Sequence, residues 1–187
     1  MLLSLIVGSL VVMGSPGPST ISVTAVGAAF GLQRSVGYLS GRIAGTIAVL
    51  LAAATGVVAL LLAVPRLTPV LLAASAVYIL YLAYRIATAP PPSKPDAAAA
   101  APSFAGGVLL AVANPKAYVA IAAVFAGSPL EPALKTLVLA VMIVLIHLVW
   151  LLAGAAFSRI FHDSLWSRRV NIAFAAALVA TTAYAVL

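Results

Sequence analysis

Four polar or charged features interrupt the long apolar stretches of this chain. Lys116 directly follows Asn114-Pro115 inside one stretch, while Arg42 and His147 lie inside two others. The fourth feature is Ser15-Pro16-Gly17-Pro18, which divides the first stretch. A charge at the centre of a bilayer costs about 3 kcal/mol or more, so a group placed there faces a cavity or a partner. These residues are therefore the first candidates for a site.

The two proline-containing segments predict breaks in otherwise helical runs, because proline removes a backbone N–H and clashes with the preceding turn. A helix that restarts after such a break presents N–H groups that favour anions. We expect Lys116 and the N–H groups after Pro18 to bind a substrate carboxylate. The alternative is a lysine that snorkels or caps carbonyl groups and only holds the break open. The candidate substrate-binding residues are Pro16, Gly17, Pro18, Ser19, Thr20, Asn114, Pro115 and Lys116.

His147 and Arg42 are candidates for energy coupling. Histidine titrates near neutral pH, which makes His147 a candidate for proton coupling. The alternative for His147 is an interhelical hydrogen bond. Arg42 lies about two turns, roughly 9 Å, into the second apolar run. It either snorkels to the membrane surface or lines the mouth of a cavity and attracts anions.

The composition indicates an integral membrane protein. Of 187 residues, 65% are hydrophobic and 7% are charged, against about 25% charged in soluble domains. The net charge of +7 comes from dispersed basic residues that form no stripe, so nucleic-acid binding is not expected. The chain has no cysteine, and His147 and His162 fit no metal-ligand spacing. No catalytic set is recognisable, so we expect neither an enzyme nor a cofactor.

Six apolar runs are long enough to be considered against a hydrocarbon core of about 30 Å, which predicts an all-α protein of six membrane helices. The runs are Leu2–Phe30, Val36–Leu62, Pro69–Ile86, Phe104–Ala126, Ala133–Phe157 and Val170–Leu187. A short turn is predicted at Gly31–Arg34, and a loop rich in proline and alanine at 88–103.

The two breaks lie at corresponding places in two groups of three runs. Pro18 precedes Gly31 by 13 residues, and Pro115 precedes Gly127 by 12. Because three is odd, the second group enters the membrane in the opposite direction, which is typical of inverted-repeat transporters with a site at the repeat interface. We predict one domain over 1–187, with repeats at 1–87 and 104–187. The alternative is that each proline is a structural kink.

Gly37, Gly41 and Gly45 are spaced four residues apart, a pattern that lets two helices approach closely. We expect this face to pack inside the bundle or between the subunits of a homodimer.

The positive charges predict an orientation, because lysine and arginine concentrate on the cytoplasmic side. One side holds Arg34, Arg85, Lys94, Arg159, Arg168 and Arg169, and the other holds Arg66 and Lys135. Both termini are therefore expected on the outer side.

Several motifs together resemble those of the LysE/RhtB family of bacterial amino-acid exporters. They are Ser15-Pro16-Gly17-Pro18, Gly31-x-x-Arg34-x-x-Gly37, Gly41-x-x-x-Gly45, Gly56, Ala76-x-Tyr78-x-x-Tyr81-Leu82-x-x-Arg85 and Ala113-Asn114-Pro115-Lys116-Ala117. The resemblance implies a six-helix permease of the inner membrane that exports amino acids or related small metabolites, driven by the proton gradient. Neutral amino acids are favoured, because their carboxylate can meet Lys116.

The chain departs from the family pattern at two places. His147-Leu-Val-Trp150 stands where the family often has Asp-x-x-Trp, and Ser128–Pro132 does not match the usual end of its segment. The alternatives are the same fold moving another small solute or ion, and a membrane scaffold that transports nothing.

Overall fold

The computed structural model describes residues 1–57, 59, 63–89, 101–160 and 164–186, and within them it contains helices and turns but no strand. Most of the predicted proline- and alanine-rich loop, together with His162, lies outside these residues. The helices are α1 (Leu2–Met13), α2 (Pro18–Ala54), α3 (Leu67–Ala87), α4 (Phe104–Ala113), α5 (Pro115–Ala126), α6 (Pro132–Ile160) and α7 (Ser164–Val186).

Three of the described helices are long and apolar enough to cross a membrane on their own, and they cover Pro18–Ala54, Leu67–Ala87 and Pro132–Phe157. Helices α4 and α5 meet at an angle of 65° and form a fourth candidate span. Large apolar side chains such as Leu3, Val77 and Val149 are exposed on the outside of the bundle, as in a protein surrounded by lipid. The predicted number of six spans is thus supported only in part.

Both proline-associated breaks are present in the structure. Helix α1 ends at Met13 and α2 begins at Pro18, whereas α4 and α5 are separated by Asn114 alone. The two broken runs therefore differ in detail, because the first leaves four residues outside helix and the second only one.

The predicted turn at Gly31–Arg34 is confirmed in position, because two helical segments within α2 meet at Gly31. The chain remains helical through this segment except at Gly31, whose positive φ of 75° makes a kink within α2. Glycine adopts this conformation at little cost, so one residue is enough to change the direction of the helix. The Tyr38 hydroxyl donates to the Ser22 Oγ atom and the Ser35 hydroxyl to the carbonyl oxygen of Val26, each at 3.1 Å, so the segments before and after Gly31 pack against each other.

Two helix boundaries differ from those predicted by more than one turn. Helix α2 ends at Ala54, eight residues before the predicted Leu62, and Gly56 follows with a φ of 78°. Helix α7 begins at Ser164 instead of Val170. The early start is physically reasonable because the added segment contains Leu165, Arg168 and Arg169, and leucine and arginine are good helix formers.

Helix α2 lies at the centre of the bundle and packs against α4 and α6. A methyl group added at Gly41 would collide with the carbonyl oxygen of Phe104, and one at Gly154 would collide with that of Thr24. Backbones at this separation tolerate no side chain larger than hydrogen. Glycine therefore permits both contacts.

The prediction that Gly37 packs with Gly41 and Gly45 is wrong within this chain. Gly41 and Gly45 contact α4, whereas Gly37 is exposed and has no atom of another residue near the position of a Cβ. The reason is the position of Phe104, the first residue of α4, which lies opposite Gly41. Helix α4 thus begins at the level of Gly41 and does not extend to Gly37, which lies one turn earlier in α2.

Candidate functional site

The two breaks lie against each other, and the Lys116 side chain at their meeting point is exposed. The Lys116 Nζ atom donates a hydrogen bond to the Ser15 Oγ atom at 3.1 Å, across 101 residues of sequence. A Cβ atom on Gly17 would lie 2.9 Å from the same ammonium nitrogen. Glycine at this position therefore leaves the space that the lysine side chain occupies.

In the first break, the Thr20 side chain acts as a helix cap. Its Oγ1 atom accepts a hydrogen bond from the Gly17 N–H at 3.0 Å, and its hydroxyl proton reaches the carbonyl oxygens of Ser15 at 3.2 Å and Gly17 at 3.3 Å. Thr20 is buried, and its hydroxyl is engaged within the break. The structure thus places it in the cap, whereas Ser19 next to it lines the cavity described below.

In the second break, Asn114 and Tyr118 replace helical hydrogen bonds. The Asn114 Oδ1 atom accepts from the Lys116 N–H at 3.1 Å, which caps α5. In a continuous helix that N–H would bond to the carbonyl oxygen of Val112. The Tyr118 hydroxyl instead donates to this oxygen at 2.8 Å. Both groups freed by the break thus find a partner, as a low-dielectric interior requires.

Trp150 supplies the corresponding donor at the first break. The carbonyl oxygen of Gly14 has no helical donor, because the residue four positions later is Pro18. The Trp150 Nε1–H donates to it at 3.2 Å from helix α6. Sequence reasoning missed this contact, although the carbonyl four residues before a proline was a signal that some donor was needed.

We expect Trp150→Phe to lower the free energy of unfolding by about 1 kcal/mol, the lower end of the cost of an unsatisfied carbonyl group, because the Gly14 contact is only partly buried. Denaturation in detergent measures the change. Trp166→Phe is the matched control, because Trp166 is 51% exposed. Equal losses in the two variants would contradict the role assigned to the Gly14 contact.

A cavity with an empty volume of about 480 Å³, its open mouth included, lies beside the meeting point of the breaks. Its polar lining consists of Ser15, Ser19, Thr46, Asn114, Lys116 and His147. A second cavity of about 1090 Å³, lined in part by α3, shares Asn114 and Lys116 with the first. Neither lining includes a carboxylate, and within the described residues no group of three histidine or acidic side chains could hold a metal ion.

His147 lies in the wall of the first cavity and is 5% exposed. Its Nδ1 atom lies 2.8 Å from the carbonyl oxygen of Ile143, one turn earlier in the same helix. The Nε2 atom is buried without a hydrogen-bond partner among the described residues. The alternative of an interhelical hydrogen bond is therefore not what the structure shows.

Arg42 is fully buried, so the interpretation that it snorkels to the membrane surface is wrong. Tight packing of Gly41 against α4 holds this turn of α2 inside the bundle. The Arg42 Nη2 atom donates to the Ser19 Oγ atom. Its Nε and Nη1 atoms have no hydrogen-bond partner in the described part of the chain.

Comparison with known proteins agrees with these features. The family model for LysE type translocators matches residues 10–187, which is almost the whole chain. Searches of curated proteins and of solved structures gave no match. The resemblance inferred from the motifs is confirmed by the family match. The chain therefore belongs to the LysE type translocators, and it is a multi-pass membrane transporter of small molecules and not an enzyme.

Proposed function

We propose that the protein exports small amino acids or related metabolites across the bacterial inner membrane. It does so as a secondary transporter, by alternating access at a site between the two broken helices. The observation that carries this proposal is the hydrogen bond between Lys116 and Ser15, which joins the two breaks at a cavity. Discontinuous helices that meet in this way are typical of midplane substrate sites in transporters.

The chemistry of the cavity favours the carboxylate end of a substrate. Lys116 presents a charged donor, and Ser15 and Ser19 add hydroxyl groups beside it. The absence of a carboxylate from the lining disfavours a substrate with an additional positive charge, such as lysine. We therefore propose neutral amino acids as the first substrate class to test.

We further propose that the chain is built as two inverted three-helix repeats, 1–87 and 104–187. Helix α1, with 12 residues, and α4, with 10, each precede a break, and the helix after each break begins at a proline, Pro18 or Pro115. The excess of arginine and lysine on one side supports a cytoplasmic location for that side and an outer location for both termini. A homodimer that uses the exposed Gly37 face remains a prediction.

Solute counterflow in liposomes tests the proposed function. The purified protein is reconstituted and exposed to a panel of radiolabelled neutral, acidic and basic amino acids, with organic and inorganic anions for comparison. Flux of a neutral amino acid is the expected result. Flux confined to other solutes would replace the substrate class, and flux of none of them would favour a scaffold.

We propose that the coupling ion is a proton and that His147 participates in its transfer. Its Nε2 atom is buried at the cavity wall without a partner, so it is available to a proton or a substrate group. We expect His147→Gln to flatten the dependence of uphill export on pH between about 5 and 8. His162→Gln, which removes the other histidine of the chain, is the control. An unchanged profile in His147→Gln would remove this residue from the mechanism.

A further inference from the structure

The buried guanidinium of Arg42 is a positive charge without a negative partner. The chain has three acidic residues, of which Asp96 and Asp163 lie outside the described ones. The third, Glu131, accepts a hydrogen bond from the Leu134 N–H at the start of α6. Within the described residues, no carboxylate therefore compensates Arg42. A buried charge normally requires a partner and a full set of hydrogen bonds.

The hydrogen bonds of Arg42 are also incomplete. Only the bond from Nη2 to the Ser19 Oγ atom is present, while Nε and Nη1 have no partner among the described residues. The nearby Tyr38 does not fill the gap, because its hydroxyl donates to the Ser22 Oγ atom at 3.1 Å. Adjacent N–H groups of a guanidinium form a fork that matches the two oxygens of a carboxylate, and each such fork of Arg42 includes Nη2, so a bidentate carboxylate needs Ser19 to release this atom.

Arg42 is linked to the cavity through Ser19. Ser19 lines the cavity and lies four residues after Ser15, the acceptor of the Lys116 ammonium group. The Ser19 Oγ atom accepts from Arg42, and its hydroxyl proton has no acceptor among the described residues, so it can be donated to a ligand. Two cationic side chains thus contact the same short segment, one at each serine.

We propose that Arg42 is a second anion-binding residue, which receives the carboxylate of the transported solute behind Ser19. The identity of this ligand rests on the proposed function. In the present conformation Arg42 has no exposed surface, so the Ser19 side chain must turn aside before the carboxylate can reach the guanidinium. In this proposal Lys116 binds the solute first, in the cavity. Arg42 binds it next, in the space behind Ser19 that is closed in this conformation.

Thermal unfolding of the purified protein in nanodiscs tests this proposal without a transport assay. The buffer contains the bulky sulfonate Mes as its only anion, and sodium acetate or sodium chloride is added as the probe. We expect acetate to raise the unfolding temperature of the wild type. In Arg42→Met the acetate concentration that gives half of this shift should be at least tenfold higher. Arg42→Lys should be intermediate because it keeps the charge without the fork.

The stability without a probe separates a binding role from a structural one. Since the charge is uncompensated, Arg42→Met is expected to unfold at a higher temperature than the wild type in Mes alone. A lower unfolding temperature, or failure of this variant to fold, would overturn the proposal. Arg66→Met is the control, because Arg66 is exposed before α3 and should change neither readout.

The two probes distinguish a carboxylate site from a halide site. Stabilisation by acetate that depends on Arg42 supports the proposal, whereas an Arg42-dependent effect of chloride alone would assign the site to an inorganic anion and overturn it. An acetate effect that persists in Arg42→Met would also overturn it. None of these results depends on flux, so failure here leaves the counterflow test of the proposed function intact.

Discussion

Lys116→Met is expected to lower the initial rate of amino-acid counterflow by about 10- to 100-fold at low solute concentration. The substitution keeps a long apolar chain but removes the ammonium group that contacts Ser15 at the meeting point of the breaks. A hydrogen bond to a charged group contributes about 1.5–3 kcal/mol, and each 1.4 kcal/mol corresponds to a tenfold change in affinity. Initial rates over a range of solute concentrations separate weaker binding from slower movement.

Two further variants define what this result means. Lys116→Arg keeps the charge but changes its shape and reach, so we expect partial activity. Arg66→Met removes an exposed cation far from the breaks in sequence and should leave the rate unchanged. Normal rates and normal affinity in Lys116→Met would show that the lysine only supports the break, which is the alternative that the sequence left open.

Gly41→Ala is expected to lower the free energy of unfolding by about 1–3 kcal/mol or more, the usual cost of overpacking a filled interior. The new methyl group would collide with the carbonyl oxygen of Phe104, which is backbone and cannot turn away. Helices α2 and α4 would have to separate. Unfolding in detergent measures the loss, and a lower yield of folded protein is expected with it.

Gly37→Ala is the matched control within the same motif. The position is exposed and has open space where the methyl group would lie, so only helix propensity changes. Alanine is favoured over glycine in a helix by up to about 1 kcal/mol, and the variant should be as stable as the wild type or slightly more so. Equal losses at positions 37 and 41 would mean that Gly37 is covered, for instance by a second subunit.

The positions of the breaks could be predicted from the sequence because proline has a strong local effect. Pro18 and Pro115 each begin a helix in the structure, as a residue without a backbone N–H is expected to do. The class of protein followed from composition, and the motifs indicated the family that the comparison then confirmed. These features depend on the local chemistry of a few residues or on the overall composition of the chain.

The groups that complete the breaks could not be predicted, because they depend on which helices pack together. Trp150 and Tyr118 satisfy carbonyl oxygens that proline or an asparagine cap leaves free. The sequence indicates that these carbonyl oxygens need a hydrogen-bond donor, but it does not indicate which residue provides it. The turn near Gly31 could be predicted, but not that a single residue of positive φ would make it.

Charged residues were the least predictable from sequence position. Lys135 was counted as a loop charge, yet it is buried and its Nζ atom donates to the carbonyl oxygens of Phe125 at 3.0 Å and Ser128 at 3.1 Å. For Arg42, snorkelling to the membrane surface was one of two interpretations, and the side chain lies in the interior. In both cases the side chain follows the acceptors that the fold brings within reach, and sequence distance does not reveal them.

The most direct test is whether a transported solute occupies the cavity between the two breaks. The chain has no cysteine, so Ala117→Cys places a single thiol in the cavity lining. In detergent, a saturating concentration of the solute identified by counterflow should slow maleimide labelling of this thiol at least several-fold. Labelling of Arg66→Cys should not change. Equal labelling of Ala117→Cys with and without that solute would contradict a binding site at the meeting point of the breaks.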